Sequence, residues 1–138
     1  FETRMLFSPD HDGSEAGMLL FQKDDNYVGF TLKRENGGPR LRLVLARPGA
    51  GPAVEAEEVV PDYIGEIYLK AAWRDGGYVF EWALHENGEY AEFARLPGNV
   101  LLSRGYTGAY LGLYATANGG QPGDHADFDW VMKGGQVP

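Results

Sequence analysis

Apolar and polar residues alternate with a period of two along most of this chain. In the run RLRLVLAR, at residues 40–47, three leucines occupy alternate positions. Successive side chains of a strand point to opposite faces, so this alternation is typical of strands with one buried face. Comparable runs predict strands at residues 1–7, 16–22, 27–34, 40–47, 67–73, 78–84, 90–95, 109–116 and 126–132.

Short turns separate these runs. Asn36, Asp75 and Asn87 each precede a glycine, and such pairs tolerate the positive φ that tight hairpin turns require. No window carries a helical stripe. The segment 48–52 and the acidic run at 55–58 are interpreted as loops. Many strands separated by frequent turns favour an all-β sandwich or barrel.

The composition narrows the classes of function. The chain has 138 residues and no cysteine, which fits one domain, residues 1–138, and excludes disulfides and thiolate metal sites. Its formal net charge is −8, so nucleic acid and anionic membranes are unfavourable partners. Because the chain begins at Phe1, we interpret it as a β-sandwich domain excised from a longer protein or lacking N-terminal strands. An extracellular and a cytoplasmic parent are both compatible with this composition.

The sequence shows no catalytic constellation. Glycosidases need two carboxyl groups across the scissile bond, and the Glu-x-Asp-x-x-Glu pattern of sandwich-fold glucanases does not occur. Glu81 and Glu92 are interpreted as isolated outward residues on their strands. The chain by itself is therefore predicted not to be an enzyme. A small sandwich hydrolase or lyase is a further interpretation, which turnover of a polysaccharide by the purified chain would support.

Three carboxylates lie close together in the sequence, at Asp10, Asp12 and Glu15. Hard oxygen ligands suit Ca²⁺, so these residues form a candidate site for a structural calcium ion. Their spacing is not that of an EF-hand, and a solvated acidic turn explains the same residues. No cofactor is required by the sequence, and this Ca²⁺ is the one metal that it suggests.

The strand at residues 109–116 suggests a surface for sugars. Tyr110 and Tyr114 share one face, and Gly112 between them leaves an open slot. Planar aromatic rings stack on the apolar faces of pyranose rings, while polar side chains bond to hydroxyl groups. Two tyrosines that simply cover the sheet, with their hydroxyl groups in water, are equally compatible with this pattern.

Two further groups extend this candidate surface. Asp127 and Asp129 are two residues apart on a predicted strand, so both point to one face, which we expect to adjoin the tyrosine face. Gln22 and Tyr27 flank a predicted hairpin and offer amide and hydroxyl contacts. Solubilising charges and ordinary turn residues are the alternative explanations for these two pairs.

Parity assigns two tryptophans to the core. Trp82 shares a face with Tyr78 and Phe80, and Trp130 shares a face with Phe128. Apolar neighbours on the same face indicate burial, so neither tryptophan is counted among the sugar-binding residues.

Three motifs resemble one known family. Residues 15–27 (EAGMLLFQKDDNY), 106–119 (YTGAYLGLYATANG) and 126–130 (ADFDW) are similar to motifs of one domain, in the same order. That domain is the C-terminal β-sandwich of glycoside hydrolase family 43, which contains β-xylosidases and α-arabinofuranosidases. The resemblance spans essentially the whole chain, and the three motifs together are specific.

The resemblance implies a concanavalin-like, two-sheet antiparallel jelly roll. It also implies that catalysis belongs to a separate five-bladed propeller domain, and that this chain is a non-catalytic module binding xylan or xylo-oligosaccharides. The alternative is a structural domain that packs on the catalytic propeller and shapes its active-site mouth or its oligomer. The predicted sugar-binding surface consists of Tyr110, Tyr114, Asp127, Asp129, Gln22 and Tyr27.

Overall fold

Strands make up the regular structure of the described residues. The computed structural model describes residues 1–23, 25–85, 88–100, 110–116 and 126–132. No helix long and apolar enough to cross a membrane occurs among them. The strands are β1 (Glu2–Phe7), β2 (Glu15–Lys23), β3 (Asn26–Glu35), β4 (Gly38–Arg47), β5 (Gly51–Val59), β6 (Glu66–Arg74), β7 (Gly77–Ala83), β8 (Ala91–Pro97), β9 (Tyr110–Thr116) and β10 (Ala126–Met132).

These strands form two antiparallel sheets. The first sheet has the order β10-β1-β6-β7-β8, and the second sheet has the order β5-β4-β3-β2-β9. Within the sheets, neighbours in sequence pair as hairpins, whereas β9 and β10 return to pair with β2 and β1. The architecture confirms the predicted all-β jelly-roll sandwich.

One face of each sheet packs against the other to form the core. On β3, Val28, Phe30 and Leu32 are fully buried. Phe30 meets Phe80 of the first sheet edge to face, with ring centroids 5.4 Å apart. Burial of a large apolar side chain contributes about 1.5–3 kcal/mol, so such contacts hold the two sheets together. Trp82 packs against this core, as predicted.

A bulge interrupts the alternation of β10. β1 pairs Met5 with Phe128, and Phe128 packs against the core. The preceding residue, Arg4, pairs with Trp130, so Asp129 is the extra residue of the bulge. The simple alternation that assigned Trp130 to the face of Phe128 is therefore interrupted between these two residues. The side chain of Trp130 itself lies outside the described part of the structure.

The alternation rule misses β5, which the sequence analysis interpreted as loop. β5 is an edge strand that pairs with β4 along its length. Its side chains are exposed on both faces except for Ala56, so no apolar pattern marks it. Pro52 and the glutamates protect this open edge, and Glu57 pairs with Arg40 at 2.9 Å. Backbone pairing and surface charge, rather than core burial, hold the strand in place.

Candidate functional site

The outer face of the second sheet carries polar and aromatic residues in ordered rows. On β3 this face is formed by Tyr27, Gly29, Thr31 and Lys33, which alternate with core residues. Directly paired residues of antiparallel strands share a face, so each row continues across the sheet. From β2 to β5 the rows are Phe21–Tyr27–Ala46–Pro52, Leu19–Gly29–Val44–Val54, Gly17–Thr31–Arg42–Glu57 and Glu15–Lys33–Arg40–Val59.

A groove of about 320 Å³ lies on this outer face. Gly29 contributes no side chain to its floor, and among the described residues the nearest atom to an added Cβ would be Leu19 Cδ1, at 3.9 Å. Tyr27 lies two residues before Gly29 on the same face of β3. An aromatic ring next to a position without a side chain allows a flat ligand to lie close to the sheet. The lining residues are Glu15, Tyr27, Gly29, Lys33, Arg42, Val44, Pro52, Ala53 and Val54.

A buried carboxylate forms part of the groove wall. Glu15 is 6% exposed, and Thr31 Oγ1 donates a hydrogen bond of 2.5 Å to Glu15 Oε2. The β2–β3 register places these two residues on the same face, one row apart. A buried charge is costly unless polar partners compensate for lost water, and this hydrogen bond does so. The carboxylate is thereby fixed where it can accept hydrogen bonds from a ligand.

The cationic side chains of the groove form ion pairs with neighbouring carboxylates. Arg42 Nε lies 3.1 Å from Glu57, and Arg42 Nη1 lies 3.6 Å from Glu35. Lys33 Nζ lies 3.8 Å from the same Glu35 carboxylate. Because of these ion pairs, the positive charges of Lys33 and Arg42 are balanced by the carboxylates of Glu35 and Glu57. Such a surface favours a neutral polar ligand over an anion.

The predicted tyrosine strand joins the same sheet. β9 pairs with β2, so that Tyr110 is opposite Phe21, Gly112 is opposite Leu19, and Tyr114 is opposite Gly17. These residues therefore occupy register positions on the outer face, in rows shared with the groove. The structure describes the backbone at Tyr110 and Tyr114 but not their side chains.

The predicted aspartates lie on the other sheet. Asp127 is on β10, where it pairs with Leu6 of β1, and Asp129 falls at the bulge. The bulge breaks the two-residue alternation that was expected to aim both aspartates at one face. Tyr110 and Tyr114 belong to the second sheet, so the expected joint surface with the aspartates does not form on one sheet. The side chains of both aspartates lie outside the described residues.

The hairpin residues Gln22 and Tyr27 take different positions. Tyr27 lines the groove, whereas Gln22 lies in a β-bulge of β2. Gln22 Oε1 is buried, with no hydrogen-bond partner in the described part of the chain. The neighbouring Asn26 is fully buried and donates to the carbonyl oxygens of Ala46 and Val100, at 3.1 and 2.9 Å. These two hydrogen bonds therefore stabilise the β2–β3 hairpin on its buried side.

The acidic loop before β2 does not assemble the predicted calcium ligands. Asp12 Oδ1 accepts a hydrogen bond from Gly37 N at 2.9 Å and lies 3.2 Å from Arg34 Nε. Glu15 lines the groove instead. Over the described residues, no group of three acidic, histidine or cysteine side chains is arranged to hold a metal ion. Asp10, Asp12 and Glu15 are therefore separated because two of them are engaged by different parts of β3 and its turn.

Glu81 and Glu92 are not isolated, contrary to the prediction. They lie opposite each other in the β7–β8 register, and each has its own arginine: Arg74 for Glu81 and Arg95 for Glu92, both at 2.8 Å. The hydrogen bond from Arg95 lowers the pKa of Glu92. The general acid of a glycosidase needs a raised pKa, so Glu92 does not suit that role. Glu81 and Glu92 instead form ion pairs with Arg74 and Arg95.

Sequence reasoning identified Tyr27 but missed its neighbours in the groove. The signal for Gly29 and Lys33 is present, because alternation places them on the face of Tyr27. The contribution of Arg42 and Val44 depends on pairing between β3 and β4, which brings them into the same rows.

Comparisons with known proteins agree with this architecture. The family model described as the beta xylosidase C-terminal concanavalin A-like domain matches residues 1–132. The chain is 26% identical over 129 residues to the non-reducing end alpha-L-arabinofuranosidase BoGH43B of Bacteroides ovatus. That alignment covers 92% of this chain and 24% of the relative, so the chain spans about a quarter of the relative's length.

Solved structures share the fold. The crystal structure of the GH43 protein BlXynB from Bacillus licheniformis has a TM-score of 0.80 at 24% identity, covering 94% of this chain and 26% of that one. The Bacteroides ovatus protein described as xyloglucan PUL GH43B has a TM-score of 0.75 at 23% identity, covering 94% and 25%. The chain therefore belongs to the family of C-terminal concanavalin A-like domains of glycoside hydrolase family 43 enzymes.

Proposed function

We propose that this domain binds xylan or xylo-oligosaccharides in the groove of the second sheet, as the non-catalytic module of a β-xylosidase-type glycoside hydrolase. The observation that carries the proposal is the groove itself. Tyr27 and Gly29 line the groove on the same face of β3, and the Glu15 carboxylate forms part of the wall. An aromatic ring stacks on the apolar face of a sugar, and carboxylate oxygens accept hydrogen bonds from its hydroxyl groups.

The charge of the domain supports a neutral polysaccharide. The chain carries a formal net charge of −8, which repels polyanions. Lys33 and Arg42, the cations that line the groove, are matched by Glu35 and Glu57. Xylan has a neutral main chain, and the family description as a β-xylosidase domain makes it the sugar to test first. The expected affinity is modest, because sugar hydroxyls give up good hydrogen bonds to water on binding.

Tyr27→Ala is expected to weaken binding of xylohexaose by about five- to thirtyfold, since the loss of a stacked ring costs roughly 1–2 kcal/mol. Tyr27→Phe keeps the ring and is expected to stay within a few-fold of the unmodified domain. Isothermal titration calorimetry with xylohexaose and soluble xylan measures both. Absence of saturable heat with a cooperatively folded protein would exclude the binding role.

We propose no catalytic activity for this chain alone. Glu15 is the one carboxylate among the described residues that line the groove, whereas glycosidases use two. The paired carboxylates Glu81 and Glu92 are occupied by arginines. Catalysis would then belong to the catalytic propeller domain of the parent enzyme, a partner in the same chain or in another.

A second candidate function is packing on that catalytic domain, and one loop favours it. Ile64, between β5 and β6, is 80% exposed, far more than the other large apolar residues of the described surface. It borders a cavity of about 330 Å³ formed with Ser8, Pro9 and Tyr63. Tyr63 donates a hydrogen bond to the Phe7 carbonyl oxygen, which ties the loop to β1. An exposed isoleucine on a loop that Tyr63 ties to β1 offers apolar area for burial against another domain.

Ile64→Ser distinguishes this structural role from sugar binding. In an enzyme that joins this domain to its catalytic domain, the substitution is expected to lower the thermal unfolding midpoint by about 2–4 °C, through loss of buried apolar area. Val59→Ser is the matched control, because Val59 is also exposed but lies on the edge strand β5. Differential scanning calorimetry measures both variants. Equal midpoints for Ile64→Ser and Val59→Ser would count against packing through this loop.

A further inference from the structure

Three aromatic residues lie in register across neighbouring strands of the second sheet. Phe21 of β2 pairs with Tyr27 of β3 on one side and with Tyr110 of β9 on the other. Neither Phe21 nor Tyr27 is among the described residues that form or contact the core. Leu113 packs against the core, so Tyr110, three residues away on the same strand, falls on the outer face. We call this set the aromatic row: Phe21, Tyr27 and Tyr110.

Beside the aromatic row lies a more open row in which Gly112 and Gly29 flank Leu19. Among the described residues, an added Cβ would meet nothing within 4 Å at Gly112 and only Leu19 Cδ1, at 3.9 Å, at Gly29. Neither glycine has a positive φ. The fold therefore has room for a side chain at both positions. Gly17 is different, because a Cβ there would lie 2.2 Å from the Phe30 carbonyl oxygen.

We infer that the bound polysaccharide crosses the strands of the second sheet, along the aromatic row and past Gly29 and Gly112. This inference rests on the proposed function and extends its site from β3 to β9. Phe21 then becomes a further binding residue, and Gly112 marks a second subsite beyond the groove. The row covers two strand spacings, roughly 10 Å, a length that exceeds one sugar ring.

The chemistry of the row favours a linear neutral pentose chain. A xylose ring in the pyranose form has no hydroxymethyl group, so both of its faces stay flat enough to lie against an aromatic row. Gly29 and Gly112 add no side chain to the neighbouring row, so Leu19 alone contributes a side chain there from β3 to β9, beside the edges of the rings. The ion-paired state of Arg42 with Glu57 leaves the adjacent polar row suited to hydroxyl groups.

The dependence of affinity on chain length tests this path. For the unmodified domain, calorimetry is expected to show at least tenfold tighter binding of xylotetraose than of xylose, because a single ring is too short for a row of roughly 10 Å and only the longer chain reaches both subsites. Gly112→Val and Phe21→Ala are expected to remove most of that gain and to change xylose affinity less than twofold. Gly38→Val is the matched control. Gly38 is another strand glycine with open space and no positive φ, but it borders the cavity beside Ile64.

The outcomes separate this inference from the proposed function. If the folded domain binds no xylo-oligosaccharide, the proposed function itself fails. If it binds xylotetraose but Gly112→Val and Phe21→Ala keep the full gain with chain length, the groove on β3 suffices and the path across β2 to β9 is wrong. Urea unfolding of each variant confirms that it is folded. If the Phe21→Ala variant does not fold, the Gly112→Val variant by itself provides the test.

Discussion

Gly17→Ala is expected to destabilise the domain by about 3 kcal/mol or more, near the upper end of single substitutions. A Cβ at this position would lie 2.2 Å from the Phe30 carbonyl oxygen and 2.6 Å from Thr31 Cα. Both atoms belong to the backbone of β3, so relief requires β2 and β3 to separate. The same movement would disturb the hydrogen bond from Thr31 to Glu15 in the groove wall.

Gly29→Ala is the matched control for this prediction. Gly29 lies on the adjacent strand of the same sheet, and its added Cβ would have ordinary contact distances. Its free energy of unfolding is expected to change by less than about 1 kcal/mol. Urea denaturation of both variants gives the comparison. Equal midpoints for the two alanine variants would show that β2 and β3 can separate slightly without loss of stability.

Above pH 10 the domain is expected to lose stability steeply. Burial raises the pKa of Tyr78 to about 12. Burial also raises the pKa of Tyr63, and at Tyr90 the nearby Glu2 carboxylate adds to the effect of burial. Unfolded tyrosines ionise near pH 10. Between pH 10 and the raised pKa values, the unfolded state binds fewer protons than the native state, so the free energy of unfolding falls as pH rises.

Each such tyrosine removes up to about 1.4 kcal/mol per pH unit in this range. The combined loss consumes much of the about 5–15 kcal/mol that stabilises a typical domain. Thermal unfolding from pH 8 to pH 12 is the measurement. In the Tyr78→Phe variant, the unfolding midpoint is expected to decline less steeply with pH. The comparison uses the slope of this decline rather than the absolute midpoint. An unchanged slope would mean that Tyr78 ionises alike in the folded and unfolded states.

The strands with one buried face were predictable from the sequence. The leucines of β4 and the alternation around Phe30 on β3 mark the core side, because only one parity of a strand can pack against the facing sheet. β5 escaped prediction because it buries neither face. Its position depends on hydrogen bonds to β4 and on ion pairs such as Arg40–Glu57, which leave no apolar pattern.

The candidate site was predictable only in part. Strand alternation predicted that Tyr110 and Tyr114 share one face, whereas Tyr27 was predicted because it flanks a hairpin. The expectation that Asp127 adjoins the tyrosine face assumed that consecutive strands lie side by side. β9 and β10 join different sheets, since β9 pairs with β2 and β10 pairs with β1, both of which lie near the N-terminal end of the chain. The Asp129 bulge has no signature in the spacing of apolar residues.

Sequence alone determined the all-β class, the faces of most strands and the family resemblance, because these depend on local alternation and on short motifs. Tertiary structure decided which strands are neighbours, and therefore that Phe21, Tyr27 and Tyr110 fall in one row. It also decided that Glu15 joins a groove wall with Thr31 rather than a metal site with Asp12. These outcomes depend on long-range strand pairing, in which a shift of one residue would exchange the two faces of the sheet.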